Sequence, residues 1–420
     1  MGMLRMIQTR SAVCWLVLTV VAVPAEAQTF KSLYSFTGQN DGGLPSSPLL
    51  RDGAGALYGA AFTSASGTGN GTLFKFSASG EFSLLYTFPG EGGNWTGGAN
   101  PLGGFFLDPS GNIFGVTEFG GVQNGYGAVF RLSANHKEHA IHIFAGPPND
   151  GAIPLSPMIS DHSGTFYGTT AFGGSGRCRG GMPLCGTVFA IDSAGHYNII
   201  HNFQGGQDDG IEPWGDLVQD SQGNIYGTTM GGGPQSSPPC GPPDAFGCGT
   251  IFKLSPNADG SWTESILYRF TGLADGLDPD YLVIDTQGNL YGAALFGGSE
   301  NCPGGCGTIF KVDMAGKFTV LHRFERESTG MRPYTVTLDG AGNLYGSSNG
   351  GHTNCGLGCG IVFKIDPNGK YSVVYAFNGK DGAGPGALLF DNKTGTIYSV
   401  TKVGGSSNWG TVFQLTPQGR

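Results

Sequence analysis

The sequence predicts an all-β protein, a seven-bladed β-propeller with four antiparallel strands in each blade. Three observations support this fold class: a recurring aromatic-Gly marker, a Gly-x-x-Phe run that occurs seven times, and a high glycine content. The marker recurs at intervals of 53 to 65 residues, a period typical of solenoids and propellers. It stands at Tyr58, Phe114, Tyr167, Tyr226, Tyr291, Tyr345 and, as Tyr-Ser, at Tyr398.

Glycine accounts for 77 of the 420 residues, well above the roughly 7% of an average protein. These glycines do not follow the every-third-residue period of collagen. They fall between short β-branched and aromatic runs, at positions that suit tight turns. The pattern therefore favours many short strands joined by hairpins.

Each repeat divides into four strand-like segments. In the fifth repeat these are 279–285, 289–294, 307–312 and 318–324. Apolar and polar residues roughly alternate within them, at lengths typical of strands. Four hairpin-linked antiparallel strands are the composition of one propeller blade.

Counting the repeats predicts how the ring closes. The third-strand run begins at Gly71, Gly127, Gly186, Gly249, Gly307, Gly360 and Gly410. The seventh repeat has no fourth strand after this run, whereas an isolated strand-like segment, 30–36, stands near the N-terminus. We expect this segment to complete the last blade, because closure removes the exposed sheet edges of an open array. Residues 28–420 are thus predicted to form a single domain.

The first 27 residues have the features of a secretory signal peptide. Arg5 and Arg10 flank the apolar segment 12–24, and Ala25-Glu26-Ala27 is a small-x-small cleavage site. An uncleaved anchor is the alternative, but the apolar run is short of the roughly 20 residues that a spanning helix needs. We expect a secreted protein, extracellular or periplasmic, with no membrane span after cleavage.

Charge limits the possible partners. Only 13% of residues are charged and the formal net charge is −9. Nucleic-acid-binding domains usually carry a basic surface for the phosphate backbone, so nucleic acid is not an expected partner. We expect a monomer.

Eight of the nine cysteines form four local pairs. Within each pair the second cysteine directly precedes the Gly of the third-strand run. An even, locally paired set in a secreted chain indicates disulfides, each of which would stabilise its short loop by about 2 kcal/mol. Zinc is the alternative, but each pair belongs to a different repeat and lacks a second pair nearby. The pairs are Cys178/Cys185, Cys240/Cys248, Cys302/Cys306 and Cys355/Cys359.

The repeat resembles a known family. The pattern Tyr-Gly-Thr-Thr, Gly-Gly, Cys-Gly-Thr-(Val/Ile)-Phe and Tyr/His-x-Phe, clearest over 167–203 and 226–270, is similar to the GloVer tandem repeat of secreted bacterial proteins. The resemblance covers essentially the whole chain after residue 27 and implies no established reaction. Members carry varied C-terminal surface anchors; we find none before Arg420, so we expect a secreted form.

Two motifs suggest metal ions but have simpler explanations. The turn before the second strand reads Asp-x-x-Gly-Asn, as at 108–112, and its oxygens could suit calcium. We expect its Asp to accept backbone N–H groups across the turn, with Gly at positive φ. His136, His139 and His142 cannot converge on one ion within a strand, because residues three apart point to opposite faces. We therefore assign no metal and no cofactor, although calcium stays possible.

The candidate binding residues lie in loops expected on one face of the ring. The blade-to-blade loops carry an Asp-Gly pair, and three tryptophans stand near these loops or in the last loop between second and third strands. Aromatic rings and carboxylates together suit sugar recognition. The alternative is that Asp-Gly only builds turns and that the tryptophans pack between blades. These residues are Asp41, Asp150, Asp209, Asp275, Asp381, Trp95, Trp214 and Trp409.

The sequence thus favours an extracellular binding or scaffold module for glycans or another surface polymer. No nucleophile elbow, phosphate loop or dinucleotide motif appears, and we assign no catalytic residue. An extracellular polysaccharide hydrolase or lyase is the first alternative, favoured if carboxylates converge at the mouth of the axial channel. A purely structural surface protein is the second.

Overall fold

The computed structural model describes residues 28–63, 70–89, 98–121, 125–161, 163–178, 181, 185–233, 240, 247–302, 304–325, 330–350 and 358–417. These residues form seven antiparallel sheets of four or five strands, arranged as a seven-bladed β-propeller, with an additional two-stranded sheet in each of blades 3 and 4, and they contain no helix. The predicted fold class is confirmed. The proposed signal peptide, 1–27, lies outside the described residues.

The strands follow in chain order, one blade after another. Blade 1 comprises Gly43–Pro45, Leu50–Arg51, Leu57–Thr63, Thr72–Phe76 and Phe82–Thr87, and blade 2 Phe106–Leu107, Ile113–Thr117, Ala128–Leu132 and Glu138–Ile143. Blade 3 comprises Gly151–Ala152, Ile159–Ser160, Thr165–Thr170, Phe172–Gly173, Thr187–Asp192 and Tyr197–Asn202, and blade 4 Gly210–Ile211, Val218–Gln219, Ile225–Thr229, Gly231–Gly232, Thr250–Pro256 and Trp262–Arg269. Blade 5 comprises Leu277–Ile284, Leu290–Phe296, Thr308–Val312 and Phe318–Arg323, and blade 6 Met331–Leu338, Leu344–Asn349, Ile361–Ile365 and Tyr371–Ala376. Blade 7 comprises Ala383–Pro385, Leu389–Asp391, Thr396–Val403 and Thr411–Pro417, completed by Gln28–Ser35.

Ring closure follows the predicted route. Gln28–Ser35 pairs antiparallel with Thr411–Pro417, so the N-terminal strand is the outer strand of blade 7. It begins two residues earlier and ends one residue earlier than predicted. We call the strands at the start of each blade inner. From blade 4 to blade 7 each inner strand contacts the inner strand of the next blade, and the inner strands are continuous only in blades 5 and 6.

In the described part of the chain the core consists of seven apolar clusters, each of which spans two neighbouring blades. In one of them, Phe114 and Phe144 of blade 2 pack with Phe166 and Phe189 of blade 3. Burying a side chain of this size contributes about 1.5 to 3 kcal/mol. Blades therefore stabilise one another, and no blade holds its own core alone.

The glycine that opens each third strand allows two blades to meet. Gly249 has a φ of +96°, and a Cβ there would lie 2.5 Å from Cδ of Pro279 in the next blade and nearer still to the Thr229 carbonyl oxygen. The other six glycines of this position also have positive φ and face the proline of the following blade. Gly410 and Pro45 make the same contact between blades 7 and 1, so the closing interface is built like the others.

A second inter-blade contact lies at the outer edge, and we call it the outer junction. The Tyr or His two residues before the last Phe of one outer strand faces a residue of the next outer strand. Five junctions are stacked ring pairs with centroids 3.8 to 4.7 Å apart: Tyr34/Phe82, His142/Tyr197, Tyr268/Phe318, His322/Tyr371 and Tyr375/Phe30. The remaining two place a carboxylate there, in Tyr86/Glu138 and His201/Glu264.

The Asp-x-x-Gly-Asn turns have the predicted structure. Asp108 Oδ1 accepts the N–H groups of Ser110 and Asn112 at 2.9 and 2.8 Å, and its Oδ2 accepts Asn112 Nδ2 at 2.7 Å. Gly111 has a φ of +82°. The carboxylate is therefore occupied by donors of its own turn.

No helix in the described part of the chain is long and apolar enough to cross a membrane.

Candidate functional site at the inner mouth of the ring

The loops gather on one face, as predicted. The loop between second and third strands bonds to the loop that leads into the same blade: Gly298 N–H donates to the Leu273 carbonyl at 2.7 Å, and Gly233 N–H to the Gly206 carbonyl at 3.0 Å. We call this side of the ring the loop face.

Disulfides stiffen this face. The pairs Cys178–Cys185, Cys240–Cys248 and Cys302–Cys306 are bonded, with Cα atoms 5.4, 4.9 and 5.3 Å apart, and zinc is thereby excluded at these pairs. Cys359 is also disulfide-bonded, whereas Cys355 lies outside the described residues. Three of the four predicted pairings are confirmed.

Near the start of each blade lies a residue directly before a proline, and we call these seven residues the pre-proline ring. All have φ between +51° and +67°, although a residue before proline normally favours extended backbone. The N–H of each donates to a carbonyl of the preceding blade, at 2.7 to 3.0 Å. The ring comprises Leu44, Asn100, Ile153, Glu212, Asp278, Arg332 and Gly384.

The disulfides hold the acceptors of this ring. The carbonyls of Cys185, Cys248, Cys306 and Cys359 accept the N–H groups of Glu212, Asp278, Arg332 and Gly384. The backbone of the pre-proline ring is thus fixed in every blade while its side chains differ widely. Strained positions with fixed backbone are frequent at functional sites.

Four carboxyl groups come together near this ring, and we call them the acidic cluster: Glu212, Asp216, Asp278 and Asp280. Burial raises the pKa of Asp216 to about 7, and burial with the nearby charge of Glu212 raises the pKa of Asp278 to about 7. The pKa of Asp280 lies well above its usual value, mainly because of burial and also because of the charges of Asp216 and Asp278. Each carboxyl of this group therefore shares its surroundings with at least one other.

Two tyrosines adjoin the acidic cluster. The rings of Tyr281 and Tyr334 lie 5.2 Å apart between the inner strands of blades 5 and 6. Burial and the charges of Asp280 and Asp216 raise the pKa of Tyr334 to about 12. Thr228 Oγ1 donates to the Asp280 carbonyl at 3.0 Å, so blade 4 holds the backbone that carries Asp280. The tyrosines stay neutral hydrogen-bonding groups around neutral pH.

The three predicted tryptophans have different surroundings. Trp214 directly follows Pro213 and is 39% exposed; it occupies the repeat position that Asp280 and Tyr334 occupy in blades 5 and 6. Trp409 is half-buried in the closing interface, where its ring packs against Gly38 and Gly43. Trp95 lies outside the described residues. The structure thus brings Trp214 to the region of the acidic cluster and places Trp409 between blades.

The five predicted aspartates lie in the loops that lead into the blades. Their carboxylates accept hydrogen bonds within their own turns. Asp41 accepts from Tyr34 Oη, Thr37 N and Thr37 Oγ1 at 2.8, 2.8 and 2.6 Å. Burial raises the pKa of Asp41, but these bonds outweigh it and leave the pKa below its usual value.

The other four aspartates follow the same plan. Asp150 is hydrogen-bonded to His142, Asp275 accepts from Tyr268, and Asp381 accepts from Tyr375, at 3.1, 3.0 and 2.7 Å. Asp209 accepts the N–H groups of Gln204 and Gly210, both at 2.6 Å. These aspartates tie the outer-junction rings to the turns, and the sequence had indicated the rings but not their acidic partners.

Grooves on the opposite face are built from the regular turns. One of about 770 Å³ lies between blades 5 and 6 and is lined by Asp285, Asp339, Lys311 and Asn392, among others. The carboxylates of Asp285 and Asp339 accept N–H groups of their own turns at 2.8 to 2.9 Å. The inner mouth of the loop face therefore holds the more distinctive chemistry.

Sequence reasoning missed the acidic cluster. Its members are separated by up to 68 residues, and none of them belongs to an acidic motif that recurs through the repeats. One signal was available: a residue before proline opens every repeat, and it is acidic only at Glu212 and Asp278. Aligning the repeats on that proline would have placed these two side by side.

Comparison with known proteins decides the family. The Gloeobacter/Verrucomicrobia repeat matches residues 19–182 and 178–413. The chain belongs to the Gloeobacter/Verrucomicrobia repeat family. This confirms the resemblance drawn from the Tyr-Gly and Gly-x-x-Phe motifs. No curated protein matches this member of the repeat family.

Solved structures share the fold of this repeat-family chain. The extracellular domain described as part of a hybrid two-component system of B. thetaiotaomicron is 15% identical, with a TM-score of 0.54 over 93% of this chain and 41% of that one. The chain thus spans less than half of that protein. A gluconolactonase of Xanthomonas campestris is 16% identical, with a TM-score of 0.41 over 89% of this chain and 98% of that one. At such identities the first likeness concerns the fold alone, and the second supports no argument.

Proposed function

We propose that this chain is an extracellular binding or scaffold propeller that recognises glycans or another polyhydroxylated surface polymer at the inner mouth of its loop face. The observation that carries the proposal is the acidic cluster beside the pre-proline ring, with exposed Trp214 in the equivalent position of the neighbouring blade. Three disulfides support a location outside the cytoplasm, because such bonds persist in oxidising compartments.

The chemistry of this mouth suits hydroxyl-rich ligands. A carboxyl group with a raised pKa is partly protonated near neutral pH, so it can donate a hydrogen bond as well as accept one. Sugar hydroxyls also do both. The exposed face of Trp214 offers a platform for the apolar face of a sugar ring.

The mouth is also held in place before any ligand arrives. The inner-strand backbone is bonded to the preceding blade at every pre-proline residue, and disulfides support four of the acceptors. Preorganised sites lose less conformational entropy on binding. The side chains that differ on this fixed backbone would then determine which ligand binds.

A glycan array followed by calorimetry tests the proposal. We expect at least one neutral or weakly charged polysaccharide to bind, because a cluster of carboxylates disfavours strongly anionic polymers. Trp214→Ala should weaken binding at least tenfold. Leu273→Ala removes another apolar side chain of the same face, 64% exposed, and should leave affinity within twofold. An array without a binder, or equal losses in both variants, would overturn the proposal.

A second candidate function is hydrolysis or elimination in a polysaccharide. The observation that favours it is the proximity of carboxyl groups with raised pKa, because such a group can act as a general acid near neutral pH. A panel of polysaccharides, assayed for new reducing ends and for unsaturated products, tests it. Turnover abolished by Asp216→Ala but not by Asp381→Ala supports catalysis; turnover of no polymer counts against it.

A further inference from the structure

One outer junction departs from the others. At five junctions the Tyr or His of one blade stacks on an aromatic ring of the next. Between blades 3 and 4, His201 faces the carboxylate of Glu264, and the turn aspartate Asp209 lies beside both. This group lies at the outer edge of the loop face, away from the inner mouth.

The three side chains converge, and neither carboxylate forms a hydrogen bond with His201 Nε2. His201 Nε2 is 3.6 Å from Glu264 Oε1 and 3.8 Å from Asp209 Oδ1. Nε2 and Oε1 are buried and have no hydrogen-bond partner. Asp209 is held by the N–H groups of Gln204 and Gly210, so its position is fixed by the turn.

We propose that His201, Asp209 and Glu264 bind a divalent transition-metal ion, with zinc the best fit. One ligand atom from each residue lies within 4.8 Å of the others, the only such group of three in the described part of the chain. A tetrahedral zinc with ligand bonds of about 2.0 to 2.2 Å places its ligand atoms roughly 3.3 to 3.6 Å apart. The two separations from His201 Nε2, 3.6 and 3.8 Å, need only a small contraction, whereas the two carboxylates would have to close in from a separation of up to 4.8 Å. A solvent molecule would take the fourth position.

The charges favour a cation at this place. Asp209 and Glu264 bring two carboxylates close to one imidazole nitrogen. Two carboxylates around one ion would give a neutral group. Arg269 is the nearest competing cation, but its Nε donates to the Gln207 carbonyl at 2.9 Å and its Nη2 faces Asp208 at 3.7 Å.

The chain contains natural controls for this site. His142 and Asp150 repeat two of the three ligands, but Tyr197 stacks on His142 where Glu264 would stand. At the blade 5 and 6 junction, His322 stacks on Tyr371 and its Nε2 also has no hydrogen-bond partner. Among the described histidines, a buried Nε2 without a hydrogen-bond partner occurs at His201 and His322, and two carboxylates converge on it only at His201.

Titration calorimetry of the chelator-treated full chain with zinc tests the proposal. We expect one equivalent to bind, and Co²⁺ to give the visible absorption of a tetrahedral site with nitrogen and oxygen ligands. Glu264→Tyr should weaken zinc binding at least 100-fold while keeping a stacked junction like His142/Tyr197. His201→Tyr should do the same, because it recreates the Tyr86/Glu138 arrangement.

A variant designed to gain a second zinc site provides an independent test of the proposal. Tyr197→Glu places a carboxylate beside His142 and Asp150, so we expect a second equivalent of zinc in a variant that keeps the wild-type β-sheet circular dichroism. The proposal fails if the wild type binds no zinc. It also fails if folded Glu264→Tyr binds zinc as tightly as the wild type, since the trio would then be only an imidazolium between two carboxylates.

Discussion

Neighbouring blades are joined both at the outer edge and at the inner mouth of the ring, but by different parts of the chain. At the outer edge the side chains make the joint: rings stack, and aspartates bond to rings and turns. At the inner mouth the backbone makes it, through seven N–H bonds from residues in a left-handed conformation. The side chains of the pre-proline ring are therefore not needed to join the blades.

This difference explains where chemistry varies. Five of the seven residues on the ring side of the outer junction are half-buried Tyr or His with a polar group hydrogen-bonded to a carboxylate, and the other two are His201 and His322. The pre-proline ring holds apolar, acidic, amide, basic and glycine residues in one shared backbone geometry. A binding site can change at the mouth without loss of the fold.

The largest expected effect concerns the glycine that lets blades meet. Gly249→Ala combines a positive φ with a collision against Pro279 and the Thr229 carbonyl, so we expect the free energy of unfolding to fall by about 2 to 5 kcal/mol. Gly260→Ala has a similar φ of +85° but open space, and should cost about 1 to 2 kcal/mol. Denaturant titration measures both; equal losses would show that the inter-blade contact is unimportant.

An outer-edge carboxylate should stabilise the fold above pH 4. Burial raises the pKa of Asp150, but bonds from His142, Ala145 and Tyr197 leave it below the usual 3.8. The stabilisation is thus complete above about pH 4 and is lost as pH falls through the folded-state pKa. We expect Asp150→Asn to lower stability by about 1 to 3 kcal/mol at pH 7 and by less near pH 3. A loss independent of pH would contradict this.

The Asp278 carboxyl at the inner mouth should give stability the opposite pH dependence. The pKa of Asp278 is raised from 3.8 to about 7, so the folded state disfavours its charge. Wild-type stability should decline through this group as pH rises from about 4 to 7, then level off. Asp278→Asn should gain stability relative to the wild type over that interval, in thermal unfolding at stepped pH. If the variant loses stability throughout, the carboxylate is stabilised by a partner.

The smallest expected change in stability concerns two outer junctions, His201/Glu264 and His142/Tyr197. In metal-free buffer, Glu264→Tyr replaces a buried carboxylate by a ring that can stack on His201, as Tyr197 does on His142. Such pairs contribute about 0.5 to 1.5 kcal/mol beyond buried area, so we expect stability to rise by up to that amount. Tyr197→Glu is the reverse change and should lower it. Loss of stability in both variants would show that the two junctions are not interchangeable.

The architecture could be predicted because it depends on local, repeated signals. Gly249 and its six counterparts mark each third strand, and the missing fourth strand of the last repeat identified residues 30–36 as its substitute, observed as Gln28–Ser35. The outer ring positions were likewise visible as a column of Tyr and His before Phe. Each of these signals acts within one repeat or between adjacent ones.

The candidate site was harder to predict for a physical reason. Asp216 and Asp280 approach each other only because two blades meet at the axis, and neither position is acidic in the other repeats. The Asp-Gly motif, by contrast, was visible because it recurs, and it recurs because Asp275 and its counterparts build a turn. Recurrence therefore indicated structure, while the functional candidates are residues that break the repeat.

The most direct test of the central claim compares the two regions with one ligand. Calorimetry with the tightest array binder should be run on the wild type, on Asp280→Ala at the inner mouth, and on Asp381→Ala at the outer edge. We predict at least a tenfold loss of affinity for Asp280→Ala and a change within twofold for Asp381→Ala. Retained binding by Asp280→Ala together with loss in a folded Asp381→Ala protein would contradict the account and move the site to the outer loops.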